Sequence, residues 1–125
     1  MHKIKHIAIL AKDQEKTVEF YKQTFGMFEV ARPVTPGKKR GIYISDGHIN
    51  LAILPCADDR EEGIAHFGFE VEDLQETEAI ALLAGALRGL EARPQDGRFA
   101  EAGIVDPTGT GVDLSVQGWR TWPMD

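Results

Sequence analysis

Two histidines and one aspartate carry the most distinctive chemistry available to this chain. Sliding the sequence by 60 residues lays His6 on His66, Asp13 on Asp73 and Thr17 on Thr77, so the phrase Ile4–Asp13 is repeated within Gly63–Leu74. Side chains alternate along a strand, which puts His6, Ala8 and Leu10 on one face and Ile7 and Ile9 on the other. The same rule sets His48, Asn50 and Ala52 against Ile49, Leu51 and Ile53, and Gly111, Asp113 and Ser115 against Val112, Leu114 and Val116. Four strands thus present a polar residue on the face their helices leave uncovered: His6, Asn50 (or His48), His66 and Asp113. Neutral imidazole and ionised carboxylate are both good ligands for zinc, iron, nickel or manganese, so this constellation suits a divalent metal. A single strand histidine is more often a core or rim residue. The repeat singles these two out.

Holding those side chains in place takes one unit written twice. Asp13 can cap a helix whose Val18, Tyr21 and Phe25 recur at i, i+3 and i+7, and Gly26 suits the left-handed residue that ends it. Phe28–Arg32 and Arg40–Ser45 read as strands, separated by Pro33, Pro36 and Gly37. Asp46-Gly47 then predicts a tight type I′ turn into a strand over His48–Leu54. After an acidic linker, Pro55–Glu62, the order recurs. A strand around His66 leads to a helix opened by the capping box Asp73 and Glu76, with Ile80, Leu83 and Leu87 as its packed stripe and Gly85 or Gly89 as its stop. A weak strand near Leu90, a turn at Pro94–Gly97, a strand over Arg98–Val105, a turn at Asp106–Gly109 and a last strand over Gly111–Val116 complete it. The expected fold class is α+β, with two βαβββ modules in a single domain over 1–125. Module one covers about 2–55, module two about 63–117, and a tail 118–125. Trp119 and Trp122 predict that the tail docks on the body or on a second subunit. Phe20, Tyr21, Phe25, Phe67 and Phe69 read as core.

Composition narrows the partners. The chain has 125 residues, 42% hydrophobic and 27% charged, enough to bury a real core and without an apolar run near membrane-spanning length. Fourteen basic against twenty acidic residues give a net charge of −6, with a single basic cluster at Lys38-Lys39-Arg40, which excludes nucleic acid as an expected partner. Cys56 has no second cysteine to pair with, and its neighbours Asp58 and Asp59 would not activate a thiol. The start Met-His-Lys-Ile-Lys-His breaks its apolar run too early for a signal peptide, so the cytoplasm is the expected location.

Several strings carry a resemblance: His6-Ile-Ala-Ile followed by Asp13; Thr17-Val-Glu-Phe-Tyr21 with Phe25-Gly26-Met27; His66-Phe-Gly-Phe-Glu-Val-Glu-Asp73-Leu74; Ala84-Gly85-Ala86; and Asp106-Pro107-Thr-Gly109 with Val112-Asp113-Leu114. They resemble the vicinal oxygen chelate superfamily of glyoxalases, bleomycin-resistance proteins, fosfomycin-resistance transferases, methylmalonyl-CoA epimerases and extradiol dioxygenases. The resemblance runs through nearly the whole chain and is specific to the superfamily, not to one activity. It implies an open, cup-shaped mixed sheet with helices outside, commonly completed in a homodimer, and a metal held by the first and last strands of both modules. Carried over residue by residue, the ligands fall on His6, His66, Asp113 (where glutamate is usual) and Asn50 (where glutamate or glutamine is usual).

The two departures separate activities. Asp113 is one methylene short of glutamate, roughly 1.5 Å, and Asn50 is neutral and a poor transition-metal ligand. His48 shares the Asn50 face but lies about 6.6 Å further along the strand. An amide cannot act as a base, which places an isomerase that shuttles a proton between two metal-bound carboxylates behind the alternatives. His6, His66 and Asp113 alone make a two-histidine, one-carboxylate set with open positions, as in non-haem Fe(II) oxygenases. The leading expectation is a divalent-metal-dependent enzyme, a lyase, isomerase or oxygenase, acting on a small substrate that chelates the metal through neighbouring oxygens. The alternative is a metal-free protein that binds or sequesters a small molecule, of the bleomycin-resistance type. Asp113 and Glu70 are the expected catalytic groups, Glu70 as a base or hydrogen-bond partner on the His66 face. Arg40 and Arg98, for an anionic group, join His48 and Asn50 as expected substrate-binding residues.

Overall fold

The computed structural model describes residues 2–124. Met1 and the tail's last residue, Asp125, lie outside the described residues. Along the chain run β1 (Lys3–Ala11), α1 (Gln14–Phe25), β2 (Phe28–Ala31), β3 (Ile42–Ser45), β4 (Asn50–Pro55), β5 (Gly63–Glu70), α2 (Leu74–Leu83), β6 (Arg88–Ala92), β7 (Ala102–Val105) and β8 (Gly111–Ser115). The order is βαβββ twice over, an α+β fold that mixes parallel and antiparallel strand pairs.

The repeat extends to single hydrogen bonds. Asp13 accepts from the Lys16 amide at 3.0 Å and Asp73 from the Glu76 amide at 2.7 Å, each satisfying a donor that the first turn of the helix leaves open. Thr17 and Thr77 donate their hydroxyls to the carbonyls of those same aspartates, at 3.0 and 2.7 Å. Gly26, with φ of 70°, ends α1, and Gly85, with φ of 105°, follows the Ala84 cap of α2.

The chain divides into two compact units. One comprises Ile7–Ala65 and the segment from Arg120 onward. Here β3 pairs antiparallel with β2 and β4, and α1 packs on β3 and β4 over a core of Ala11, Val18, Ile42, Ile44, Leu51 and Ile53. Ile44 and Ile53 are fully enclosed, and burial of each contributes about 1.5–3 kcal/mol. The other unit comprises the residues up to His6 and His66–Trp119. In it β8 runs parallel to β5 and antiparallel to β7, β7 pairs with β6, and α2 packs on β6. Val71, Val112 and Leu114 form its buried core, with Phe67, Phe69, Leu74, Leu90 and Ile104 packed against them. Among the described residues no helix is long and apolar enough to cross a membrane.

Three local expectations are corrected. The loop between β3 and β4 holds four residues, since Ser45 pairs with Asn50. The Asp46 carboxylate accepts the amides of His48 and Ile49 at 2.8 and 2.9 Å, an arrangement that replaces the two-residue turn and leaves His48 outside the strand. The stripe Ile80, Leu83 and Leu87 faces solvent, at 56, 92 and 64% exposure. What docks α2 is Glu78, whose carboxylate accepts the Leu90 amide at 2.6 Å in the space left by the missing side chain of Gly89. Of the aromatic residues read as core, Tyr21, Phe67 and Phe69 pack on it while Phe20 and Phe25 are exposed. Those two instead touch Tyr21 and each other at ring-centroid distances of 5.2 to 6.3 Å.

Candidate metal centre

His6 and His66 project from β1 and β5, Asp113 from the middle of β8, and all three belong to the unit built on the second half of the chain. Their Nε2 atoms lie 3.4 Å apart; Oδ2 of Asp113 is 3.0 Å from His66 Nε2 and 3.6 Å from His6 Nε2. One donor atom from each residue falls within 4.8 Å of the others, a spacing that fits a shared ion. His6 and Asp113 are buried, and the side chain of His66 is 26% exposed. Burial alone would raise the Asp113 carboxyl. The contacts from His6 and His66 outweigh it and hold the group well below the usual carboxylate range, so it offers the ionised form a metal requires. By the chemistry and convergence of their donors, these residues fit a divalent cation.

The strand register explains how so short a carboxylate finds room. Asp113 pairs with Gly68 on β5 and with Gly103 on β7, so it has a glycine on either side. Each bare position is covered by a long side chain. The Trp119 ring lies over Gly68, where an added Cβ would meet Cη2 at 2.8 Å, and stacks on the His6 ring at 4.9 Å with 4° between planes. The Arg93 guanidinium lies over Gly103, where an added Cβ would meet Cζ at 2.7 Å, and its Nε is 3.5 Å from Asp113 Oδ1. Neither residue emerged from the sequence as part of the site. The signal available was the pair of glycines, each on the face shared by polar strand residues.

Glu70 ends β5 on the His66 face, with its carboxylate against the Gly118 backbone. Arg98 is tied to Asp96 at 2.9 Å. Asn50 belongs to the first unit; it is fully buried, donates Nδ2 to the Arg120 carbonyl at 2.8 Å, and its Oδ1 has no hydrogen-bond partner among the described residues. His48 sits in the exposed loop before β4. Arg40 donates to Thr35 Oγ1 at 2.7 Å and lines, with Lys12, Arg32 and Lys38, a cleft of about 570 Å³ confined to the first unit.

The sequence profile of the Glyoxalase/Bleomycin resistance protein/Dioxygenase superfamily matches residues 3–114. Direct comparison with curated proteins finds no match. Among solved structures, a hypothetical protein, BH1468, from Bacillus halodurans C-125 is similar at a TM-score of 0.71 and 15% identity, over 90% of this chain and 92% of that one. Methylmalonyl-CoA epimerase from Mycobacterium tuberculosis gives 0.68 and 16%, over 89% and 85%. The 2,3-dioxygenase LapB from Pseudomonas sp. KL28 gives 0.71 and 18%; the similarity spans 94% of this chain and 41% of that one. At these identities the likeness is one of fold.

Proposed function

As the chain belongs to the Glyoxalase/Bleomycin resistance protein/Dioxygenase superfamily, we propose that it is a divalent-metal-dependent enzyme whose small substrate chelates the metal through neighbouring oxygens. The observation that carries this reading is the convergence of His6, His66 and Asp113 donor atoms within 4.8 Å of one another. These three residues would hold the metal. When bound, it would supply Lewis acidity toward substrate oxygens or, as iron, a route to dioxygen. Asp113 contributes the charge that balances the cation, and Trp119 keeps water from the stacked face of His6. Glu70, on the His66 face, is the proposed general base. Asp113 is the one carboxylate of the converging set among the described residues, so an oxygenase or lyase is favoured over a two-carboxylate isomerase. We also place the protein in the cytoplasm, on its lone free Cys56, and as a homodimer, on its exposed aliphatic residues.

Elemental analysis of protein purified without chelator, then titration with Fe²⁺, Zn²⁺, Ni²⁺ and Mn²⁺, is expected to give one equivalent of metal, lost in His66→Ala. Protein that neither carries nor takes up metal would sink the reading. A metal-free binding protein is the second reading, favoured by the way the two imidazoles and the carboxylate already contact one another. A screen of catechols, 2-oxoaldehydes and thiol adducts separates the two, because only the enzyme turns one of them over.

A further inference from the structure

The Asp113 carboxylate is divided between two neighbours. Oδ2 faces His66 and His6 at 3.0 and 3.6 Å, while Oδ1 faces Arg93 Nε at 3.5 Å. Arg93 is held from several sides. Its backbone amide donates to the Glu101 carbonyl at 3.0 Å, and its Nη1 lies 3.4 and 3.5 Å from the carbonyl and carboxylate of Glu91. The guanidinium rests in the slot over Gly103, the residue paired with Asp113 across β7 and β8. A carboxylate can ligate through one oxygen or both, and rotation about its last bond decides which. A charge-assisted contact from a fixed guanidinium opposes that rotation.

We propose that Arg93 is a positioning residue that reserves Asp113 Oδ1 and so keeps Asp113 a one-oxygen ligand, leaving the site open to a bidentate anionic oxygen chelator. The inference rests on the metal-binding reading above. Each further carboxylate oxygen on a metal closes one open position, and a chelating substrate needs two adjacent ones. Removing Arg93 frees Oδ1 to turn inward and compete with the second oxygen of the chelator. A monodentate ligand needs only one position and is indifferent to this loss.

The test uses full-length protein loaded with Co²⁺, whose visible absorption reports its coordination, titrated with oxalate (bidentate) and azide (monodentate). Arg93→Met and Gly103→Ala are compared with the wild type. The alanine displaces the guanidinium while keeping its charge, and the φ of Gly103 is not in the left-handed region, so its backbone accepts a side chain. Both variants are expected to bind Co²⁺, to lose on the order of tenfold in oxalate affinity and to keep wild-type azide affinity. Arg93→Lys should recover part of the oxalate loss, and the double variant should be no worse than Arg93→Met alone. Unchanged oxalate affinity in both variants overturns the proposal, as does an equal loss for azide and oxalate, which would make Arg93 a general attractor of anions. A wild-type protein that fails to take up Co²⁺ removes the metal reading itself, and the Arg93 role with it.

Discussion

Trp119 and Trp122 lie three positions apart in the same aperiodic tail, yet their surroundings make them unequal. Trp119 is 5% exposed, wedged between Gly68 and the His6 ring, whereas Trp122 is 60% exposed, with Arg120 5.3 Å above its ring. Truncating a buried aromatic removes its burial energy and leaves a cavity, so Trp119→Ala should lose about 3–5 kcal/mol in urea unfolding. Trp122→Ala should stay within roughly 0.5 kcal/mol of wild type, as exposed sites do. Equal losses would mean that Trp119 is not the wedge described. At this scale the sequence was informative where periodicity applied. His6, His66 and Asp113 could be found because alternation along a strand fixes a face. Arg93 and Trp119 could not, because each reaches the site from beyond a regular element, and what guides it there is a missing Cβ on a neighbouring strand.

Elements were legible in kind and less so in their edges and orientation. The Asp caps and the glycine stops mark α1 and α2 because they satisfy backbone groups that any helix leaves open. Helix rotation is different: Ile80, Leu83 and Leu87 have the spacing of a buried stripe, but the Glu78 bond to Leu90 turns another face inward. The β3–β4 loop departs from its expected form because one carboxylate gathers two amides. That device also predicts a pH dependence. The bond from Ile49 is the main cause that lowers the Asp46 carboxyl, against the opposing effect of burial and with help from His48. A pKa lower in the folded than in the unfolded state stabilises at pH above the unfolded value, and the benefit is lost as pH falls through the folded value. Asp46→Ala should therefore cost about 0.5–1 kcal/mol at pH 7, modest because the loop is exposed. The difference from wild type should shrink below about pH 4, where carboxylates begin to protonate. Urea unfolding at pH 7 and pH 3 checks this, and a pH-independent difference would show that the carboxylate form is not what matters.

For the whole molecule, net charge and apolar exposure pull self-association in opposite directions. Each copy carries −6, which repels a second copy at low ionic strength. Ile80, Leu82, Leu83 and Leu87 nonetheless stand 56, 51, 92 and 64% exposed along α2 and the turn after it, a concentration of aliphatic surface typical of protein contacts. Leu83 separates folding from association, because a side chain 92% exposed contributes little to the stability of the monomer. Leu83→Asp should leave the melting temperature of the monomer essentially unchanged while placing a desolvated charge in any interface built on this face. Sedimentation velocity is expected to show a dimer for the wild-type protein, strengthened by added salt as the like charges are screened, and a monomer for Leu83→Asp. A wild-type protein that sediments as a monomer at every salt concentration, or a variant that still dimerises, would place the function of this stripe elsewhere.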